Sequence, residues 1–571
     1  RRDAPAASET ASGSVAERPR SDSGTIVLHW LAVILVVVSL LTGLRIAADT
    51  YGAVVAPALD FMLPNGEVWT FHVFAGLSLF ACASAYVVYV FRAAVTKRNS
   101  PKRIKALTMN APARYKWQAV NVALHWLAYL AIALLAGTGT ALYIGFGGWI
   151  VPVHRYAAFF LLAYIFIHTL AHFMYGGLWQ LLRLFRPAPL ARSEVRRAFP
   201  FAVAAIVGVA AAALAATLDL TTRPDFVARA TATPPTLDGR LDDEVWKNAA
   251  VASMRTQQGQ NMTGLMESTV EVRAAYDDEN IYFAFRWNDP TRSLMRLPLR
   301  KEADGWHVVG TRVGDADVMD YYEDKLAILF TSEPAFGGGG TTHMGVKPLD
   351  DKPSAANKRG LHYTLDGTIL DLWQWKAARG GMLGYVDDMY IGPPIEPNEA
   401  QAAGKERYSA GYLPDPGQST YVYNFKARPG VGYAGPVDVL RLPVDYQATL
   451  AAMKTIPATP AESNEDGAIW WMTNETSAPY SQELDDAIPV GTMMPGVLNI
   501  NEYQGDRADL RGGSRYEDGY WTLETVRKRE TGSKYDIAFK PGQKVYIYLS
   551  VFDHVQTRHT RHERPVVMEM Q

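Results

Sequence analysis

Four imidazoles stand where ionisable groups are expensive. His29, His72, His154 and His168 lie within or at the edge of long apolar runs of this 571-residue chain, and such groups are costly there unless function retains them. Neutral imidazole is a common metal ligand. His154 and His168 are fourteen residues apart in one run. At 3.6 residues per turn and 1.5 Å per residue, that spacing puts both rings on one helix face, roughly 21 Å apart. One helix offering ligands at two depths predicts two metal centres stacked across a lipid layer. His172, four residues after His168, shares its face and is an alternative ligand.

The elements that must carry these groups are five stretches: Ile26 to Ala47, Val68 to Phe91, Val120 to Tyr143, Val151 to Tyr175 and Phe199 to Leu220. Each is long enough to cross a hydrocarbon layer of ~30 Å as a helix. Loops rich in Lys and Arg stay cytoplasmic. The loop from Arg92 to Lys116 holds eight basic residues and no acid, whereas Ala48 to Glu67 holds Asp49, Asp60 and Glu67 and no base. Arg183, Arg186, Arg192, Arg196 and Arg197 follow the fourth stretch. This pattern predicts a bacterial inner-membrane protein with a cytoplasmic N-terminus, residues 1–23 forming a polar, disordered tail. The fifth stretch then leads residues 222–571 out to the periplasm.

Span direction sorts the histidines by depth. His72 and His154 fall near the outer side, His29 and His168 near the cytoplasmic side, giving two level pairs. Cys82 is the only cysteine, which excludes a CxxCH attachment, a cysteine-bound iron–sulfur cluster and an intrachain disulfide. Two b-type haems, each held by a histidine pair, fit these constraints. One echo leaves the inner pair open. Val27-Leu28-His29-Trp30-Leu31-Ala32 with Thr42-Gly43 is matched by Ala123-Leu124-His125-Trp126-Leu127-Ala128 with Thr138-Gly139, an internal repeat in which His125 competes with the preferred His29.

His-Trp-Leu in the first span, His72-Val73-Phe74-Ala75-Gly76 in the second, and His154 with His168 in the fourth resemble the bacterial cytochrome b561-like family. That family includes the membrane cytochromes b of formate dehydrogenases and nickel–iron hydrogenases. The resemblance covers roughly residues 24–180. It implies a four-helix di-haem core, electron exchange with quinone, and His29, His72, His154 and His168 as ligands. A fifth transmembrane helix, within residues 181–221, departs from the pattern and carries the outer domain.

Beyond Thr222, strand signals dominate. Val270, Val272 and Ala274 alternate with polar residues, Asp277 to Asn280 makes a turn, and Ile281 to Trp287 returns, a hairpin. Tyr520 to Val526 and Val545 to Val551 repeat the style. The expectation is an all-β antiparallel sandwich with long excursions between Thr331 and Ser477. Thr236-Leu237-Asp238-Gly239 through Trp246 resembles the start of sandwiches related to family-nine carbohydrate-binding modules. Thr342-His343-Met344-Gly345, Asp371 to Lys376, and Asp518 to Glu524 turn the resemblance toward the haem-binding subunit of ethylbenzene dehydrogenase, patchily over residues 230–565. That resemblance implies one outer haem b between a methionine and a lysine, and maps Met344 onto the first ligand. The lysine has no match; His559 or His562 would substitute, with His343 a further alternative.

The reading is an electron-transfer cytochrome joining the quinone pool to a periplasmic partner, such as a c-type cytochrome or an oxidoreductase subunit, singly or within a multi-subunit complex. The alternative is a membrane cytochrome whose sandwich binds a carbohydrate or small ligand without haem; Trp373 and Trp375 would stack on a sugar. The basic clusters are accounted for by membrane topology, so no nucleic-acid role is expected.

Overall fold

The computed structural model describes residues 18–49, 58–190, 199–259, 267–310, 320–335, 340–356, 359–428, 435–454, 464–557 and 559–571. Most of the expected tail, and Arg192, Arg196 and Arg197, lie outside them.

Among the described residues, five helices are long and apolar enough to cross a membrane: α1 (Ser23–Ala48), α2 (Val68–Arg92), α3 (Ala113–Tyr143), α4 (Ile150–Leu181) and α5 (Pro200–Thr221). Proline opens several of them, before α3 (Pro112), in the first turn of α4 (Pro152) and at the first residue of α5 (Pro200). The missing N–H costs nothing there, because first-turn donors have no intrahelical acceptor. α4 is bent at Gly176 and Gly177, the latter at φ +64°.

The chain forms two compact units. One comprises residues 1–40, 74–137 and 155–217; the other comprises residues 41–73, 138–154 and 218–571. In the first, α5 packs on α2, with Ala85, Tyr89 and Ala204 buried together. A Cβ on Gly208 would sit 3.3 Å from that of Ala85. The last residues before α1 are held as well: Asp22 is buried and accepts hydrogen bonds from Tyr89 Oη and Thr25 N.

The second unit is dominated by one twelve-stranded sheet. Its strands are β1 (Asp225–Ala230), β2 (Ala252–Gln257), β3 (Glu267–Tyr276), β4 (Asn280–Asn288), β5 (Lys325–Thr331), β8 (Leu370–Lys376), β9 (Asp387–Ile391), β10 (Tyr412–Pro414), β11 (Arg511–Glu517), β12 (Tyr520–Lys528), β13 (Lys544–Phe552) and β14 (Val566–Met570). The order is β10-β9-β8-β5-β13-β14-β1-β3-β4-β12-β11, with β2 on β3. A separate two-stranded ribbon pairs β6 (Thr342–Met344) with β7 (Gly360–His362). Pairing in the large sheet is antiparallel except around β1, which runs parallel to β14 and to β3 and joins the two halves.

The sheet curls until those halves face each other as a sandwich. Phe283 on β4 meets Phe330 on β5 and Trp373 on β8, and Trp287 meets Trp375 and Trp521. These aromatics are 0–1% exposed. Trp373 and Trp375 therefore fill the core and offer no face to a sugar.

The motifs of the β region meet in space. Glu524 on β12 is fully buried and accepts hydrogen bonds from Trp246 Nε1 (2.6 Å), Gly239 N (2.7 Å) and Asp238 N (3.1 Å). Gly239 is at φ +78°, where a Cβ would lie 2.5 Å from Arg515 N. Only glycine fits that turn without strain.

Candidate histidine sites

The internal repeat has a structural purpose. Near the ends of α1 and α3 it places a Thr-Gly pair, and each pair meets one histidine from the next helix. Thr42 Oγ1 lies 3.0 Å from His72 Nδ1, and Thr138 Oγ1 lies 2.8 Å from His154 Nδ1. The glycine beside each threonine clears room for the ring: a Cβ on Gly43 would lie 3.1 Å from His72 Cε1, and one on Gly139 3.2 Å from His154 Cε1. The two imidazoles face each other at 6.2 Å between centroids, with planes at 79°. A hydroxyl on each Nδ1 orients the ring and leaves Nε2 to serve as ligand, the arrangement typical of metal-binding histidines.

A second cluster forms in the other unit, from α3 and α4. The His125 ring is 4.8 Å from that of His168 and 6.1 Å from that of His172, and His168 is 4.5 Å from His172. Their candidate ligand atoms lie within 4.8 Å of one another. His125 Nδ1 is 2.6 Å from Asn121 O, while Nδ1 of His168 and of His172 are buried without a hydrogen-bond partner. His29 is not one of this close group. The structure thus groups His168 with the two alternatives, His125 and His172.

The β-region candidates are more dispersed. Met344 ends β6, and it exchanges two backbone hydrogen bonds with Gly66, of 2.7 and 2.8 Å. Its side chain is 3% exposed and packs with Val68, Trp69 and Ile46. His343 stacks on Tyr363 at 3.7 Å, its Nδ1 3.0 Å from Thr341 O and its Nε2 3.5 Å from Glu67. His559 packs on Phe552 at 4.6 Å with Nδ1 2.7 Å from Thr560 O. His562 has a buried, unpartnered Nδ1 and lines a cleft of about 370 Å³ with Ile144, Met254, Arg255 and Arg564.

Sequence reasoning passed over His362. It sits opposite Thr342 in the β6–β7 ribbon with its Nδ1 buried and unpartnered. Burial, together with the charges of His559 and His343, pushes its pKa down to about 3. Its only sequence signal was the alternation around Gly360-Leu361-His362-Tyr363.

The model of the prokaryotic cytochrome b561 family matches residues 20–187, and that of the ethylbenzene dehydrogenase family matches residues 243–564. Among curated proteins there is no match. Two solved structures of a family 9 carbohydrate-binding module from Caldicellulosiruptor kristjanssonii, in complex with glucose and with cellotriose, are similar at 7% and 8% identity. Their TM-scores are 0.21 and 0.20, and the alignments cover 60% of this chain and 95% and 94% of the modules. Likeness that slight carries no functional argument. With more than half of its length matched by the second family model, the chain belongs to the ethylbenzene dehydrogenase family, with a cytochrome b561-like domain fused ahead of that region.

Proposed function

We propose that this protein is a membrane-bound b-type cytochrome that moves electrons between the quinone pool and a periplasmic redox partner. Two haems b in the helices and a third in the β domain would form the path. The observation that carries the reading is the His72–His154 pair, 6.2 Å between ring centroids and backed on both sides by a Thr-Gly pair. Two imidazoles so spaced would hold one haem iron between them.

His29 and His168 would hold the inner haem, with His125 and His172 as alternatives; the orphaned Nδ1 atoms of His168 and His172 fit a site that awaits a group. Bound b haem supplies one-electron redox chemistry, and the protein supplies ligands, orientation and burial. At the outer pair, Thr42 and Thr138 would hold the Nδ1 protons and so keep each Nε2 on the metal. Met344 with His559 or His562 would ligate the third haem, and a Met/His pair raises haem potential. Electrons would then run outward from quinol, with the N-terminus cytoplasmic and the β domain periplasmic in a bacterial inner membrane. The soluble partner would be a c-type cytochrome or an oxidoreductase subunit.

A second reading keeps the membrane haems and makes the β domain a haem-free module for a carbohydrate or other small ligand. The packing of Met344 favours it, since that thioether is already enclosed by Val68, Trp69 and Ile46.

Haem b per polypeptide, measured by pyridine haemochrome on the full chain in mild detergent, separates the two. Three haems, falling to two in Met344→Ala, support the first reading. Two haems, unchanged by that substitution, leave the second. Fewer than two would remove both.

A further inference from the structure

A group of carboxylates deep in the β domain has no role in the electron path. Asp371 lies on β8, Asp388 on β9 and Asp415 just past β10. Asp388 stands opposite Trp373 in the β8–β9 register, two residues along from Asp371. Asp415 N donates to Asp388 O at 3.1 Å across the β9–β10 pair. Side chains of a strand alternate between faces, so all three project from one face, the one whose Trp373 fills the core. Asp536, from the loop after β12, joins Asp371 and Asp388, with ligand oxygens of these three within 4.8 Å of one another.

These groups are sealed from water. Asp371, Asp388 and Asp415 are 1%, 0% and 2% exposed, and the Asp536 side chain is 2% exposed. Arg527 Nη1 lies 2.7 Å from Asp371, 3.5 Å from Asp536 and 3.8 Å from Asp388. One guanidinium thus faces three carboxylates. Asp415 lies outside the close triad, yet neither of its oxygens has a hydrogen-bond partner. Across the four side chains, six buried oxygens lack one: Oδ1 of Asp371 and Asp536, and both oxygens of Asp388 and Asp415. Like charges directly opposite on neighbouring strands are destabilising, and buried charges survive only when paired or bound to metal.

We propose that Asp371, Asp388, Asp415 and Asp536 bind a divalent cation of the Ca²⁺ type, with Arg527 offsetting part of the charge that remains. Ca²⁺ takes about 6–8 oxygen ligands in flexible geometry, whereas Mg²⁺ demands a near-ideal octahedron and keeps several waters. Six oxygens without a hydrogen bond, in a dry site, match the former. Softer metals prefer nitrogen or sulfur donors, and the four groups here are all carboxylates. Without a cation the site must hold protons instead: burial and neighbouring carboxylates raise Asp388 well above the usual carboxylate range and Asp415 to about 8. A second acidic group, Asp289, Asp324 and Asp553, is better satisfied. There Asp324 accepts from Ser293 N, His554 N and Trp521 Nε1.

The test uses the full chain in detergent, stripped with EDTA, at pH 7.5. Equilibrium dialysis with ⁴⁵Ca²⁺ compares wild type with the double variant Asp388→Asn, Asp415→Asn, and thermal unfolding is followed with and without Ca²⁺. The expected result is one bound ion fewer in the variant. Ca²⁺ raises the wild-type Tm and leaves the variant's unchanged. Equal ion binding by the two proteins overturns the proposal. Should the variant fail to fold, Tb³⁺ on wild type decides. Trp373-sensitised emission displaced by Ca²⁺ and not by Mg²⁺ supports the site, and its absence overturns it.

Discussion

At the residue scale, the Thr-Gly pairs of the repeat make the sharpest predictions. Removing a hydroxyl that orients a metal-bound imidazole typically costs 10–100-fold in metal affinity. Thr42→Val or Thr138→Val is therefore expected to weaken retention of one haem by about that factor, read by haemochrome assay after dilution into haem-scavenging apomyoglobin. Gly139→Ala puts a methyl 3.2 Å from His154 Cε1 and is expected to act on the same haem. Wild-type retention in both threonine variants would deny these side chains a ligand-positioning role. In the β domain, Glu524→Gln must turn an amide N–H toward a donor, because Oε1 accepts from Trp246 and Oε2 from Gly239 and Asp238. The expected loss is about 1–3 kcal/mol, measured as a fall in Tm. The histidines were legible one at a time from the chain. The hydroxyl-and-glycine support behind each was not, because a repeat in sequence does not say which residue across a helix interface it serves.

At the scale of elements, β8 explains why a strand can be easy to find and hard to interpret. Asp371, Trp373, Trp375 and Lys376 are all buried, on both faces of the strand, so the alternation that would separate core from surface is missing. The carboxylates gathered beside it then make stability depend on pH. Burial, with Asp536 and Asp371 nearby, raises Asp415 to about 8. Between its ordinary pKa and that value the folded protein holds a proton that the unfolded chain has released. Stability of the cation-free protein therefore falls as pH rises through this window, by about 1.4 kcal/mol per pH unit for one such proton. His362, pushed down to about 3 by burial, acts oppositely: it stays neutral when folded, so stability is lost as pH drops below its unfolded value near 6.5. In EDTA, Tm is expected to decline from pH 6.5 to 8 and to level off below 6.5, where the two slopes oppose each other. A flat profile above pH 6.5 would show that the carboxylates are not protonated in the folded state.

At the scale of the whole molecule, charge asymmetry between loops predicts the orientation of the bundle. Reporter fusions after residue 108 and at the C-terminus are expected to be cytoplasmic and periplasmic respectively; alkaline phosphatase activity in the first and none in the second would invert the topology. What the sequence determined by itself is everything set by local periodicity and composition: five apolar helices, the strand-rich remainder, and the spacing of His154 and His168 along one helix. These follow from transfer of apolar side chains into lipid and from the 3.6- and 2-residue periods of the backbone. Only the tertiary structure decided which residues meet. It joined the Asp238-Gly239 turn to Glu524 across 285 residues, turned Trp373 and Trp375 into core, enclosed Met344 against Trp69, and gathered three aspartates around Arg527. Those pairings depend on strand register and helix packing between segments far apart in the chain. A one-residue slip would reverse every face, and nothing in a single segment encodes the partner it will find.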